Sequence, residues 1–192
     1  MRLPPTPRVL VLRDIRERVL AAYPLGRVIV AVDGGGGTAS FADDLADVFR
    51  EAGKDSFRAS IGDFHRSRAE RTRFGRETAE GYYRDSFDYV TLRRVLLDPF
   101  RMAGSTGFQT AAFDEERDLP VESRWETAGQ DAVLVIDGEF LLRPELRGEW
   151  NASALLVNAP EWAVYEEEAR PADAAGILVD DSEPERPLIV ER

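Results

Sequence analysis

The sequence predicts an α/β domain of three layers, with a mainly parallel sheet between helices. Three observations predict it. Continuous apolar runs such as Val28 to Val32 and Ala132 to Ile136 read as strands buried on both faces, the habit of parallel sheets. Between such runs the period changes, and Phe41, Leu45, Val48 and Phe49 fall on one helical face. The chain has 192 residues, 43% hydrophobic and 32% charged, which suits one mid-sized domain with its own core.

Taken in order, residues 8–23 read as a helix with Ile15, Val19 and Leu20 on its apolar face, stopped by Pro24 and Gly26. Residues 1–25 are thus an N-terminal helical extension of a single domain spanning 1–192. The strand Val28 to Asp33 leads into Gly34, Gly35, Gly36 and Gly37, and a helix over 41–52 ends at Gly53. A second strand spans 56–61. A helix over 89–97 is expected to end at Asp98-Pro99, and a short helix is expected over 143–149. Further strands fall at 132–136, 152–157, 177–179 and 188–190. Strand alternating with helix gives the layered fold.

Composition removes several functions. Cysteine is absent, which excludes disulfides, thiol catalysis and zinc–thiolate sites. The net charge of -11 argues against nucleic acid as a partner. No apolar run approaches the roughly 18 residues of a membrane span, and the first residues lack the apolar core of a signal peptide. The expectation is a cytoplasmic protein without a membrane partner. Lys54 is the single lysine among many arginines, which genome composition explains; any chemistry needing a lysine must use Lys54.

A strand, a glycine turn and a helix together make an anion site, because the turn exposes N–H groups and the helix start adds its dipole. Three readings of Gly34 to Ser40 compete. One is a phosphate-binding P-loop. Another is a dinucleotide fingerprint, since Gly34, Gly36 and Ala39 fit G-x-G-x-x-A. The third is a structural turn that binds nothing.

Several segments resemble the uridine kinase-like P-loop kinases. They are Val30-Ala31-Val32-Asp33-Gly34 with Phe41-Ala42-Asp43-Asp44-Leu45, Asp63-Phe64-His65-Arg66, Gly81-Tyr82-Tyr83-Arg84-Asp85-Ser86-Phe87-Asp88-Tyr89, Leu96-Leu97-Asp98-Pro99, Thr110 to Asp114, and Val133 to Gly138 with Phe140 to Leu146. The likeness covers most of residues 26–190. It implies a P-loop fold and transfer of the ATP γ-phosphoryl to a small hydroxyl substrate, often uridine or cytidine. It implies phosphate binding by Gly34 to Gly37, Thr38 and Ser40, and substrate contacts from His65, Tyr83, Arg84, Asp85 and Phe108. By the same likeness Asp137 orders Mg²⁺ and Asp63 stands in as the catalytic carboxylate, because Gly62 takes the usual acidic place. As a lone histidine, His65 has a structural reading too, Asp63 could merely cap a turn, and Arg84 could pair with a surface carboxylate.

The departures from the pattern matter as much. Counted back from Phe41, Thr38 takes the place of the phosphate lysine and Ala39 that of the Mg²⁺ hydroxyl; the loop is about two residues short. The arginine-bearing lid after residue 157 is reduced or absent. Pro160 leads through an acidic stretch, Glu166 to Glu168, to the closing segment. One lost donor costs on the order of 10²–10³ in rate, and a transferred-phosphate arginine is worth about 10³–10⁵. The expectation is an impaired member that binds a nucleoside- or phosphate-type ligand. Alternatives are an active atypical kinase using ATP and Mg²⁺, with Arg66 or Arg68 replacing the lysine, and a structural or homo-oligomerising domain.

Overall fold

The computed structural model describes residues 2–191 except 74, 76, 77, 103 and 158–161. Helix α1 (Pro7–Ala22) starts with Thr6 as its cap and Pro7 in the first turn, where proline's missing N–H costs nothing. Strand β1 (Val28–Asp33) is buried along its whole length. Helix α2 (Thr38–Glu51) follows the glycine turn and ends in a turn with Gly53 at φ 78°. Strand β2 (Ser56–Ser60), the short helices α3 (Arg68–Arg71) and α4 (Ala79–Asp85), and a longer helical run come next. That run joins α5 (Tyr89–Leu92) to α6 (Asp98–Arg101) through a π turn over Arg93–Leu97. A small hairpin, β3 (Phe113–Asp114) with β4 (Leu119–Pro120), precedes β5 (Val133–Gly138) and β6 (Ala152–Leu156). Helices α7 (Ala163–Ala169) and α8 (Pro171–Ala174) and strands β7 (Ile177–Asp180) and β8 (Leu188–Val190) complete the chain.

The sheet order is β2-β5-β1-β6-β7-β8. All pairings are parallel except β7 with β8. The expected three-layer fold is therefore present, with β1 central. Alternate residues of β1 feed two cores. Val28, Val30 and Val32 pack toward Leu12, Ile15, Phe41 and Leu45. Ile29 and Ala31 face the layer containing Phe64, Leu92, Leu96 and Phe140. No helix among the described residues is long and apolar enough to cross a membrane.

Two elements depart from the sequence reading. The helix expected to stop at Asp98-Pro99 continues to Arg101. Pro99 cannot donate to the carbonyl four residues back; that carbonyl, on Val95, instead accepts the Gln109 N–H at 2.8 Å. The π turn widens the helix at this point. The helix expected over 143–149 shrinks to a 3₁₀ turn, Pro144–Leu146.

The end of β5 is tightly constrained. Gly138 has φ 132°, and a Cβ there would collide with the Ile61 side chain. Gly138→Ala should therefore destabilise the fold by about 1–3 kcal/mol, read as a lower urea midpoint. An unchanged midpoint would contradict this packing.

Candidate functional site

The glycine turn lies at the C-terminal end of β1, where ligands bind in open α/β sheets. Gly34 (φ 153°) and Gly37 (φ 88°) take backbone conformations that L side chains avoid. A Cβ on Gly34 would also crowd Leu156. Helix α2 then starts at Thr38, whose hydroxyl donates to Asp137 Oδ2 at 3.1 Å. In P-loop proteins the helix-start hydroxyl and an acidic residue on a neighbouring strand share Mg²⁺. Thr38 thus stands at the start of α2 with its hydroxyl on a carboxylate near the end of β5.

The other oxygen of Asp137 is also engaged. Arg58 Nη2 donates to Asp137 Oδ1 at 2.7 Å, and Arg58 Nε donates to Asp43 at 2.8 Å. Asp137 is buried, so this pair supplies the positive charge that the carboxylate needs. Asp63 stands near Asp137 and Asp114; burial first, then the Asp137 charge, push its carboxyl above the ordinary range. Among the described residues no group of three or more His, Cys, Asp or Glu side chains is placed to hold a metal ion. Thr38 and Arg58 between them engage both oxygens of Asp137.

Arg8 guards the outer flank of the turn. It donates to Asp44 at 2.6 Å, Asp181 at 3.2 Å and the Pro184 carbonyl at 2.7 Å, and approaches Ser40 Oγ at 3.5 Å. Asp181 lies beside Gly37. Among the described residues, Arg8 and Arg58 approach the glycine turn, each paired with carboxylates of the chain. Arg66 and Arg68 belong instead to the surroundings of α3.

The lid is reduced. Helix α7 has seven residues and α8 four; Pro160 and Glu161 lie outside the described residues. Even so, α7 reaches the turn. The Tyr165 hydroxyl donates to Asp33 Oδ2, and the Leu142 N–H is shared between Asp33 and Tyr165 at 3.1 Å each. Asp33 is fully buried, and its Oδ1 has no well-formed hydrogen bond. Burial raises its pKa to about 6, against the opposing pull of Tyr165 and the nearby amides. A cavity of about 160 Å³ lies between Gly34, Gly35 and α7, with Asp33 in its wall. Glu139 and Glu166 also line it, and among the described residues no Arg or Lys does. The sequence reading singled out none of Asp33, Arg58 or Tyr165 as a site residue.

The expected substrate residues divide. Tyr83 is 1% exposed, under the Arg143 guanidinium at 4.1 Å from its ring centre. Phe108 is 0% exposed, with Phe57 and Phe100 against it. Both are core residues, because α4 turns Tyr83 inward and the bridge between Phe108 and Glu126 points the phenyl ring into the sheet's helical layer. Tyr82 packs partly buried against the core, where its hydroxyl bonds Glu139 and its ring stacks on Trp162 at 5.5 Å. Arg84 pairs on the surface with Glu80 at 2.9 Å and Glu168 at 2.5 Å. Asp85 is half-buried at the end of α4. His65 is buried against Phe87, 4.6 Å between ring centres, with Nε2 3.6 Å from Glu115.

This sheet order, with a glycine turn leading from the central strand into a helix, defines a P-loop kinase-like fold. Solved structures agree. The chain is similar to a possible uridine kinase from Bacillus stearothermophilus, with a TM-score of 0.73, 23% identity, and coverage of 89% of this chain and 96% of that one. It is also similar to a candidate fructose transport system kinase from Silicibacter sp. TM1040, with a TM-score of 0.60, 21% identity, and coverage of 78% and 73%. At these identities the likeness establishes the fold. No family model matches the sequence, and no curated protein does.

The buried Asp33 has a pH signature. Its carboxyl holds a proton up to about pH 6 in the folded state, against 3.8 ordinarily. Between those values the folded state binds more protons than the unfolded state. Stability from this group therefore falls as pH rises through the window, by up to about 3 kcal/mol. Asp33→Asn removes that loss. Its thermal midpoint should exceed the wild type's at pH 7.5, and the gap should close toward pH 4. A gap independent of pH would refute the assignment.

Proposed function

We propose that this chain is a P-loop kinase-like protein that binds a small ligand in its cleft and has lost efficient phosphoryl transfer. One observation carries the reading: Arg58 and Thr38 occupy both oxygens of Asp137, the carboxylate that would order Mg²⁺. The glycine turn adds no lysine, and the mostly apolar cavity beside it has Glu139 and Glu166 in its wall. Phosphoryl transfer depends on positioning and on cations around the transferred group, and a triphosphate here would meet like charge. Of the two ligand types expected from the sequence, the geometry supports a nucleoside-sized or smaller molecule over a polyphosphate. The turn's amides and the start of α2 could still hold a lone phosphate, which needs backbone only.

Isothermal titration with Mg²⁺–ATP should give no measurable heat, and uridine phosphorylation should stay at the blank. Thr38→Lys should not restore it, because the new lysine would replace the hydroxyl on Asp137 and leave Arg58 and the acidic wall in place. Wild-type turnover at roughly 1 s⁻¹ or above, the working range of kinases, that is abolished by Asp63→Asn would overturn the reading.

A further inference from the structure

A second cavity, of about 290 Å³, lies between the loop over 141–151 and the segment that joins α8 to β7. Asn151 and Gly176 stand just before β6 and β7, so the cavity reaches the N-terminal ends of the parallel strands. The glycine turn follows the opposite end of β1. The volume is roughly twice that of a cavity known to admit a single benzene ring, about 150 Å³. The chain carries 36 acidic residues and a net charge of -11, yet among the described residues no Asp or Glu lines this cavity. Arg147, Asn151 and Ser153 do.

Each of the three is fixed by a backbone group and keeps donors to spare. Asn151 Oδ1 accepts the Ile29 N–H at 2.8 Å, and the Asn151 N–H donates to the Ile29 carbonyl at 2.9 Å. Only the amide oxygen can accept from that N–H, which settles the side chain's orientation. Its Nδ2 hydrogens then have no partner among the described residues. Ser153 Oγ accepts the Gly176 N–H at 3.0 Å, and its own hydroxyl hydrogen has no acceptor among the described residues. That approach needs a glycine, since a Cβ on Gly176 would stand 3.3 Å from the Ser153 carbonyl oxygen. Arg147 Nη2 donates to the Ala169 carbonyl at 3.0 Å, a favourable place for a cation at the C-terminal end of α7. Unlike Arg8, Arg58, Arg93 and Arg143, Arg147 joins no ion pair among the described residues, and its Nε and Nη1 have no partner there. The apolar wall is equally fixed. Trp150 Nε1 donates to the Leu141 carbonyl at 2.7 Å, and Leu141, Leu142 and Ala174 complete the lining.

We propose that this cavity is a second ligand site, which takes a small organic monocarboxylate with an apolar body of about one ring. Arg147, Asn151 and Ser153 donate to the carboxylate, and the body lies along Trp150, Leu141 and Leu142. Donors with no carboxylate among them select an anion, and the planar guanidinium fork matches a carboxylate. Charge selects the valence. Glu167, Glu168 and Asp173 share a groove with Arg147, and a dianion would meet twice the repulsion from them that a monoanion meets. The site is separate from the cleft at the glycine turn and does not rest on the reading of that cleft.

The test is titration of the intact chain at pH 7.5 with phenylacetate, 2-phenylethanol and benzylphosphonate, probes of similar shape with one, no and two negative charges. Phenylacetate should bind and raise the thermal midpoint. The alcohol and the phosphonate should each bind at least about tenfold more weakly, the scale of one charge-assisted hydrogen bond. Asn151→Asp keeps the acceptor for the Ile29 N–H and replaces the amide donors with a carboxylate oxygen, so it should abolish phenylacetate binding. Arg147→Met keeps the apolar stem and should weaken binding at least about tenfold. Circular dichroism shows whether each variant is folded; if neither is, the ranking of the three probes on the wild type decides. Phenylacetate binding no tighter than the alcohol or the phosphonate would overturn the proposal. So would an affinity unchanged in a folded Asn151→Asp or Arg147→Met, the result expected if the anion sat on the glycine turn instead. Turnover in the uridine phosphorylation assay would defeat the reading of the cleft and leave this site untouched.

Discussion

The hydrogen bond between the Tyr165 hydroxyl and the Asp33 carboxylate is the contact on which the cleft depends. Asp33 ends the central strand, so its position is fixed by the parallel ladders with β5 and β6. A carboxylate there is removed from water by the sheet itself, and burial without partners would be very costly. Tyr165 reduces that cost, and in doing so it holds the short α7 against the glycine turn. A two-turn helix has little intrinsic stability; its position comes from this bond and from packing around Phe140. The same contact creates the cavity, sets its acidity and closes the place where a longer lid would move.

Internal ion pairs flank the start of α2. Arg58 bridges Asp43 and Asp137, and Arg8 bridges Asp44 and Asp181. Both arginines have carboxylate partners on two sides, and both lie beside α2, one on each flank of its start. Removing one member of a buried pair leaves an uncompensated charge, a loss of about 3–5 kcal/mol in well-buried cases. A phosphate arriving at the turn would have to draw these guanidiniums away from Asp137 or Asp181. Each carboxylate would then be left as such an unpaired charge. The arginines thus tie α1 and β2 to the start of α2.

Much of the fold was legible because buried parallel strands leave continuous apolar runs, and β1, β5 and β6 emerge within a residue or two of expectation. The site was less so. Arg58 sits in a strand whose sequence, Ser56 to Ser60, gives no sign that its side chain will cross to Asp137. The Tyr82–Tyr83 pair could not be phased, since α4 has only seven residues and aromatic neighbours on more than one side. Helix α2 begins at Thr38, directly after the left-handed Gly37 and ahead of the start expected at Phe41. Asp33 was quoted only as part of a strand, and its distinction comes from a tyrosine 132 positions later, a separation no local pattern records.

The strained Phe140 connects this architecture to binding. Its ring meets Tyr82, Tyr83, Trp162 and Tyr165 in edge-on contacts, so four rings from α4 and the lid segment determine its position. A residue held by so many partners loses little freedom when a ligand arrives, and ordering costs of about 0.5–1.5 kcal/mol per side chain are largely avoided. The strain in the Phe140 backbone is offset by that packing whether or not the cavity is filled. A shortened lid therefore does not leave the cleft slack. Two turns of helix, one tyrosine hydroxyl and a cluster of rings make a fixed wall beside the glycine turn.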